Sequence, residues 1–270
     1  MIEIQNLSKT FNQGTINEVK SLSNITCTIE EGSFVVLLGT NGSGKSTLLN
    51  AVAGNFFPDH GKIILDGKDI TKMTEHKRAK YIGRVFQNPF SGTAPDMSIA
   101  ENLVLAAKRG QYRSFGWALS KTVLKEFQER VKPLNMGLED RLDSPIGKLS
   151  GGQRQALTLL MASWIKPKLL LLDEHTAALD PKTAVKVIQL TEDVVNKDHL
   201  TTMMVTHSMQ QAVNMGDRIL MLHNGRIVFD FSGQEKQRLK SNDLLALFDD
   251  IRRKEQIDPS AAEMINQLYV

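Results

Sequence analysis

Phe34-Val35-Val36-Leu37-Leu38-Gly39-Thr40-Asn41-Gly42-Ser43-Gly44-Lys45-Ser46 decides the fold. Five apolar residues in a row read as a strand covered on both faces, as in the middle of a parallel sheet. The run ends at Gly39, and helix-like sequence starts near Lys45 and stops near Gly54. Strand, glycine-rich turn and helix open a βα unit. Residues 39–46 match G-x-x-x-x-G-K-[ST]. Such a turn can wrap its backbone N–H groups around an anion, because glycine permits close approach. The helix behind it points a partial positive charge at the same place. In this reading Lys45 reaches the β- and γ-phosphates of a nucleotide and the Ser46 hydroxyl ligates Mg²⁺. Gly39, Thr40, Asn41, Gly42, Ser43, Gly44 and Thr47 complete the cradle.

A second apolar run, Leu169-Leu170-Leu171-Leu172, ends in Asp173-Glu174. Ligands of open α/β sheets sit beyond the C-terminal ends of the strands. Asp173 is therefore expected to hold Mg²⁺, directly or through water. Glu174 is expected to orient an attacking water or accept its proton.

The rest of the chain fits an α/β core around these two strands. Ile2-Glu3-Ile4 and Val19 to Ile29 read as β, as do Lys62 to Leu65 and Gly83 to Phe86. From 93 to 165 the pattern turns helical, with Ile99 to Ala107 and Trp117 to Val131 as helices. Asp180-Pro181 is a helix start, N-cap then first helical position. Thr201 to Thr206 reads as a strand, and Met209 to Met215 as a short helix closed by Gly216. Arg218 to His223 and Arg226 to Phe231 form a hairpin around Asn224-Gly225. Beyond 233, apolar residues at helical spacing predict one or two amphipathic helices with a turn at Asp258-Pro259.

Composition limits the rest. The 270 residues carry 33 Lys and Arg against 30 Asp and Glu, net +3, with no polycationic tail to suggest nucleic acid. The single cysteine, Cys27, excludes an internal disulfide and reads as a small buried residue. No apolar run reaches the ~18–20 residues that span a bilayer. The N-terminus lacks the layout of a signal peptide. A cytoplasmic protein that meets the membrane through a partner is the expectation.

Leu149-Ser150-Gly151-Gly152-Gln153 is a second glycine-bearing helix N-terminus, before an apolar helix read over Ala156 to Ile165. The order of phosphate loop, LSGGQ, LLLLDE and a lone His207 after Val205-Thr206 resembles the ATP-binding-cassette ATPases. The resemblance covers residues 1 to 232. It implies an α/β P-loop NTPase (RecA-like) core sheet, an N-terminal antiparallel β subdomain and a helical insertion carrying the signature motif. Residues 233–270 are left as a C-terminal helical extension.

The resemblance also implies roles. Gln87 matches the glutamine loop, touching Mg²⁺ or the attacking water and hinging the helical region to the core. His207 matches the switch histidine at the γ-phosphate. Asp180, in Ala178-Leu179-Asp180, belongs to the loop that meets the opposite subunit. Phe11 stands where the family stacks an aromatic ring on adenine; Phe keeps the face and lacks a hydroxyl. His175 stands where relatives commonly carry Pro, and reads as a backbone difference rather than a second base. Ser150, Gly151, Gly152 and Gln153 close the ATP site of a second copy. Two ATP molecules are thereby sandwiched head to tail, and hydrolysis opens the pair.

Such a chain needs a membrane permease subunit, expected to dock near Asn88 to Ser98 with Phe90, Thr93 and Met97 in contact, and an external substrate-binding protein. The run from Asp173 to Pro181 is similar to that of the tryptophan/tyrosine-type importers, so amino-acid uptake is the leading cargo. A lipoprotein or peptide exporter is the alternative. A soluble cassette acting on ribosomes, DNA or cluster assembly is a further one, against which stands the lack of a second cassette, a long coiled-coil insert or a basic arm.

Overall fold

The computed structural model describes residues 1–111, 119–251 and 253. Its strands are β1 (Ile2–Phe11), β2 (Val19–Ile29), β3 (Phe34–Gly39), β4 (His60–Leu65), β5 (Lys68–Asp69), β6 (Ile82–Val85), β7 (Leu169–Asp173), β8 (Thr202–Val205), β9 (Arg218–His223) and β10 (Arg226–Ser232). Its helices are α1 (Lys45–Ala53), α2 (Glu75–Arg78), α3 (Ile99–Ala107), α4 (Lys121–Val131), α5 (Gly151–Ser163), α6 (Pro181–Asp198), α7 (Met209–Asn214) and α8 (Gly233–Arg238). A further helix covers 241–251.

Two sheets form. The first is antiparallel, in the order β2-β1-β4-β5. The second runs β10-β9-β3-β8-β7-β6, parallel throughout except for the β9–β10 pair. β3 takes the middle, and every residue from Phe34 to Gly39 is buried. Alternate residues of each central strand feed two cores. Val35, Leu37, Leu169, Leu171 and Met203 pack with Leu48, Leu49 and Val52 of α1 and with the antiparallel sheet. Val36, Leu38, Leu170, Leu172 and Met204 pack on the other face, with Val195 of α6 and with Leu244 and Phe248 of helix 241–251. Each such buried aliphatic is worth about 1.5–3 kcal/mol of transfer free energy. A third core, with Ile99, Leu103, Phe127, Val131, Ile146 and Leu157, belongs to the helical region.

Several sequence expectations shift. α5 starts at Gly151, five residues before the predicted Ala156, and ends at Ser163. A capping box explains the start: Ser150 Oγ accepts from Gln153 N at 3.3 Å, and Gln153 Oε1 accepts from Ser150 N at 3.2 Å. The reciprocal bonds offset the poor helix propensity of two glycines. α4 begins at Lys121 behind the N-cap Ser120; Trp117 and Ala118 lie outside the described residues, as does Asp258-Pro259. Leu239 is extended between α8 and helix 241–251.

The β9–β10 turn is the primed type the sequence asks for, with Asn224 at φ 44° and Gly225 at φ 71°. It also braces the phosphate loop. Gly225 N donates to Ser43 O at 3.0 Å, and Gly225 O accepts from Ser23 N at 2.8 Å. A Cβ on Gly225 would sit 2.7 Å from Ser21 O, so this contact needs glycine. Cys27 is buried, and burial pushes its thiol up to about 11.

Candidate functional site

The loop 39–46 leaves the C-terminal end of β3, between β8 and β9. Gly44 caps α1 in the left-handed region at φ 99°, where a Cβ would lie 2.6 Å from Ser21 O. A Cβ on Gly39 would lie 2.4 Å from Leu222 O. The backbone thus wraps closer to its neighbours than any side chain allows. Lys45 is buried, and its Nζ donates to Gly39 O and Thr40 O, both at 2.9 Å. Two of its three donors are spent on the loop itself, leaving one for a ligand. Burial lowers the Lys45 pKa, against the pull of Glu174 and Asp173, which raises it. Ser43 Oγ is buried with no hydrogen-bond partner, which marks a place for an acceptor or donor from outside the chain. Ser46 is exposed, while Thr47 Oγ1 lies 2.7 Å from Ser21 Oγ.

At the neighbouring strand end, Glu174 has a left-handed backbone, φ 44°, unusual for a residue with a long side chain. Its N donates to Val205 O at 3.1 Å and its O accepts from Ala177 N at 2.9 Å, which hold the turn. The carboxylate gathers two of the predicted residues. Gln87 Nε2 donates to Glu174 Oε2 at 3.3 Å, and His207 Nε2 lies 2.5 Å from Oε1. The His207 loop is tied to the Glu174 turn through a side-chain chain. Thr206 Oγ1 donates to Gln211 Oε1 at 2.6 Å, and Gln211 Nε2 donates to Thr176 Oγ1 at 3.2 Å.

His175, next in sequence, points the other way. It is 3% exposed and its Nε2 lies 2.9 Å from Thr191 Oγ1 on α6. Thr191 Oγ1 donates in turn to Val187 O at 2.8 Å. Burial pushes the imidazole down to about 4, so it is neutral in the fold. The unfolded chain binds a proton that the fold refuses between those two pKa values. Stability is therefore fully present above pH 6.5 and declines as pH falls toward 4, by about 3 kcal/mol in all. His175→Gln is expected to flatten this slope; urea midpoints of both proteins across that window check it.

Asp173 is largely buried beside Arg84, with Oδ2 3.4 Å from Arg84 Nη2. Among the described residues no group of three His, Cys, Asp or Glu forms a metal cage. Mg²⁺ fits a site of another kind, with one or two carboxylates and a hydroxyl completed by phosphate oxygens. Asp173 and the exposed Ser46 suit it.

Phe11, at the end of β1, packs edge-on against Phe56 at 5.2 Å between centroids, with Lys9 Nζ 5.5 Å from its ring. Asp180 caps α6, its Oδ1 accepting from Thr183 N at 3.1 Å; this bonding lowers its pKa. Ser150 and Gln153 bond to each other, and Gln153 Nε2 to Met136 O at 3.2 Å. Gly151 and Gly152 face Leu179 and Thr183. The fold thus assembles 39–47, Asp173, Glu174, Gln87 and His207 in one place, and leaves 150–153 on the helical region.

Two features were missed from sequence. Helix 241–251 reaches the site, because Leu245, Phe248 and Asp249 share a cleft with Gly39, Thr40, Asn41 and His207. The groove between core and helical region, ≈ 320 Å³, is lined by Ile82, Arg84, Phe86, Leu105, Arg109 and Met161 among others. Of residues 88–98 it takes Gly92; the expected Phe90, Thr93 and Met97 do not line it. One face of Phe90 carries Arg154, whose guanidinium carbon lies 3.6 Å from the ring centroid, and the residue stays 51% exposed. The Asn102 amide ties this loop to α3, accepting from Ala94 N and donating to Ala94 O and Ser98 O.

Residues 22–177 match the family profile described as ABC transporter. The chain is 42% identical over 249 residues to the tyrosine transport ATP-binding protein of Clostridioides difficile (strain R20291), covering 92% of this chain and 99% of that one. It is 36% identical to the spermidine/putrescine import ATP-binding protein PotA of Haemophilus influenzae (strain ATCC 51907 / DSM 11121 / KW20 / Rd), spanning 62% of that longer protein. Its fold matches the dimeric post-hydrolysis structure of the ATP-binding cassette MJ0796 bound to ADP and Pi, with TM-score 0.73 and 30% identity, over 86% of this chain and 98% of that one.

Proposed function

The chain belongs to the ABC transporter family, as its ATP-binding, ATP-hydrolysing cassette, and from that premise we propose that it energises the uptake of an amino acid with an aromatic side chain. The observation that carries the catalytic reading is the convergence of Gln87 and His207 on the carboxylate of Glu174, beside the phosphate loop. No helix among the described residues is long and apolar enough to cross a membrane, and cassettes of this family work with membrane permeases.

Residues 1–232 form the ATPase domain in this reading, with 93–165 as its helical insertion and 233–270 as an extension. Phe11 offers adenine one ring face, its edge contact with Phe56 fixing the plane. The N–H groups of 39–46 and Lys45 hold the β- and γ-phosphates. Ser46, Asp173 and Gln87 would hold Mg²⁺, which would neutralise charge on the phosphates. Glu174 accepts a proton as water attacks the γ-phosphorus, and the bond to the ADP oxygen breaks to give ADP and phosphate. Gln87 and His207 keep the Glu174 carboxylate aimed, and His207 bonds the γ-phosphate. Ser150 to Gln153 of a second identical copy, with Asp180 beside them, close the site. The pair sits on the cytoplasmic face of the membrane. The permease fills the groove beside Leu105, an exposed aliphatic, and an external binding protein delivers the cargo.

Affinity purification of the native complex tests this. The expected result is co-purification with an integral membrane protein and a receptor that binds tyrosine or tryptophan at micromolar concentration or below. Recovery with ribosomes or as a free soluble dimer, or a receptor that binds another class of solute, would overturn the corresponding part.

A further inference from the structure

We propose that Arg84 is a positioning residue that orients the Asp173 carboxylate for the metal; this rests on the reading of Asp173 given above. Arg84 and Asp173 project from the same face of neighbouring parallel strands, with Arg84 paired to Leu171 in register. The Arg84 side chain is largely enclosed, 11% exposed, and its guanidinium forks three ways. Nη2 donates to Asn50 Oδ1 at 2.6 Å, and Nη1 to Asn55 Oδ1 at 2.9 Å. The third contact, Nη2 to Asp173 Oδ2, is longer at 3.4 Å.

The geometry assigns the parts. Asn50 lies on α1, the helix that carries Lys45 and Ser46, and Asn55 follows that helix. The short bonds anchor Arg84 to the phosphate helix, and the longer one restrains a single oxygen of Asp173. In this proposal the other oxygen serves the metal. A bridge of this kind fixes the spacing between Ser46 and Asp173, which a small octahedral cation needs at near-ideal distances. Partners behind a metal ligand orient it in this way, and their loss commonly costs tenfold or more in metal affinity.

The same side chain has a second face. Its guanidinium carbon lies 4.4 Å from the centroid of Phe86, and both residues line the groove between core and helical region. Phe86 O accepts from Gln155 Nε2 of α5 at 3.2 Å, and Gln87 follows it toward Glu174. An occupant of the groove therefore touches the group that holds Asp173.

The test is Mg²⁺-dependent binding of a non-hydrolysable ATP analogue to the full chain, beside the same titration in EDTA. Arg84→Met is expected to raise the Mg²⁺ concentration at half-saturation roughly tenfold, with analogue affinity in EDTA changed less than about twofold. Arg84→Lys keeps a cation but not the fork, and is expected to raise it about threefold; it carries the test if Arg84→Met does not fold. An unchanged Mg²⁺ midpoint would sink the proposal. So would a tighter one, since Arg84 would then be repelling the cation rather than placing its ligand, and so would an equal loss of affinity in EDTA. Asp173→Asn separates the two readings. If it leaves the Mg²⁺ midpoint unmoved, the assignment of Asp173 itself fails. If it shifts the midpoint while both Arg84 variants do not, the role of Arg84 alone fails.

Discussion

Glu174→Gln is expected to lower ATP turnover by about two to four orders of magnitude, the usual contribution of a positioned base. Binding should survive, because the loop 39–46 and Lys45 are untouched. The structure shows why the change isolates chemistry. Glutamine keeps the length and shape of the side chain, so the left-handed turn held by Val205 O and Ala177 N has no reason to move. Gln87 Nε2 can still donate to the remaining carbonyl oxygen. What is lost is a carboxylate able to take a proton. With hydrolysis blocked, nucleotide stays bound, and Mg²⁺-ATP should accumulate a stable pair of chains. Single-turnover hydrolysis together with light scattering reads both parts. A variant that stays monomeric under saturating ATP would remove the model in which the nucleotide bridges two copies.

Lys45→Ala should cost about 2–5 kcal/mol of nucleotide binding, the range for truncating one partner of a buried charged pair. That is roughly thirtyfold to several thousandfold in Kd. The ammonium is sunk among backbone carbonyls, with two donors committed to Gly39 O and Thr40 O. Removing it deletes a charge-assisted bond to the phosphates and leaves those two carbonyls without their partner. Equilibrium binding of a fluorescent ATP analogue reads the effect, and thermal unfolding without nucleotide separates it from damage to the loop. Wild-type affinity in the variant would overturn the cradle assignment.

The parts of the fold that were legible share a physical cause. Phe34–Leu38 and Leu169–Leu172 are continuous apolar runs, and a run apolar on every residue can sit only where both faces are covered. Asp180-Pro181 and Asn224-Gly225 announce a cap and a turn by stereochemistry alone, and both stand where expected. The start of α5 was legible in principle through Ser150 and Gln153, but paired glycines argue locally against a helix. The lining of the groove was not legible, because it is set by tertiary contacts. Arg154, sixty-four residues along the chain, stacks on one face of the exposed Phe90, and nothing near Phe90 reveals that. Arg84 shows the same limit. Strand alternation gives it a face, while its partners come from two distant stretches, Asn50 and Asn55 at α1 and Asp173 at the end of β7. The reach of helix 241–251 to His207 follows from packing on Leu244 and Phe248, which amphipathic spacing suggests without naming the surface.

The enclosed thiol of Cys27 has a practical consequence. The thiolate is the reactive form, and a group shielded from solvent with its pKa near 11 offers almost none at neutral pH. The native chain is therefore expected to react little with maleimides and thiol-directed spin labels. A cysteine engineered at exposed Val185 on α6 would carry a probe alone, so nucleotide-dependent distance changes can be tracked by spectroscopy without first deleting any natural residue.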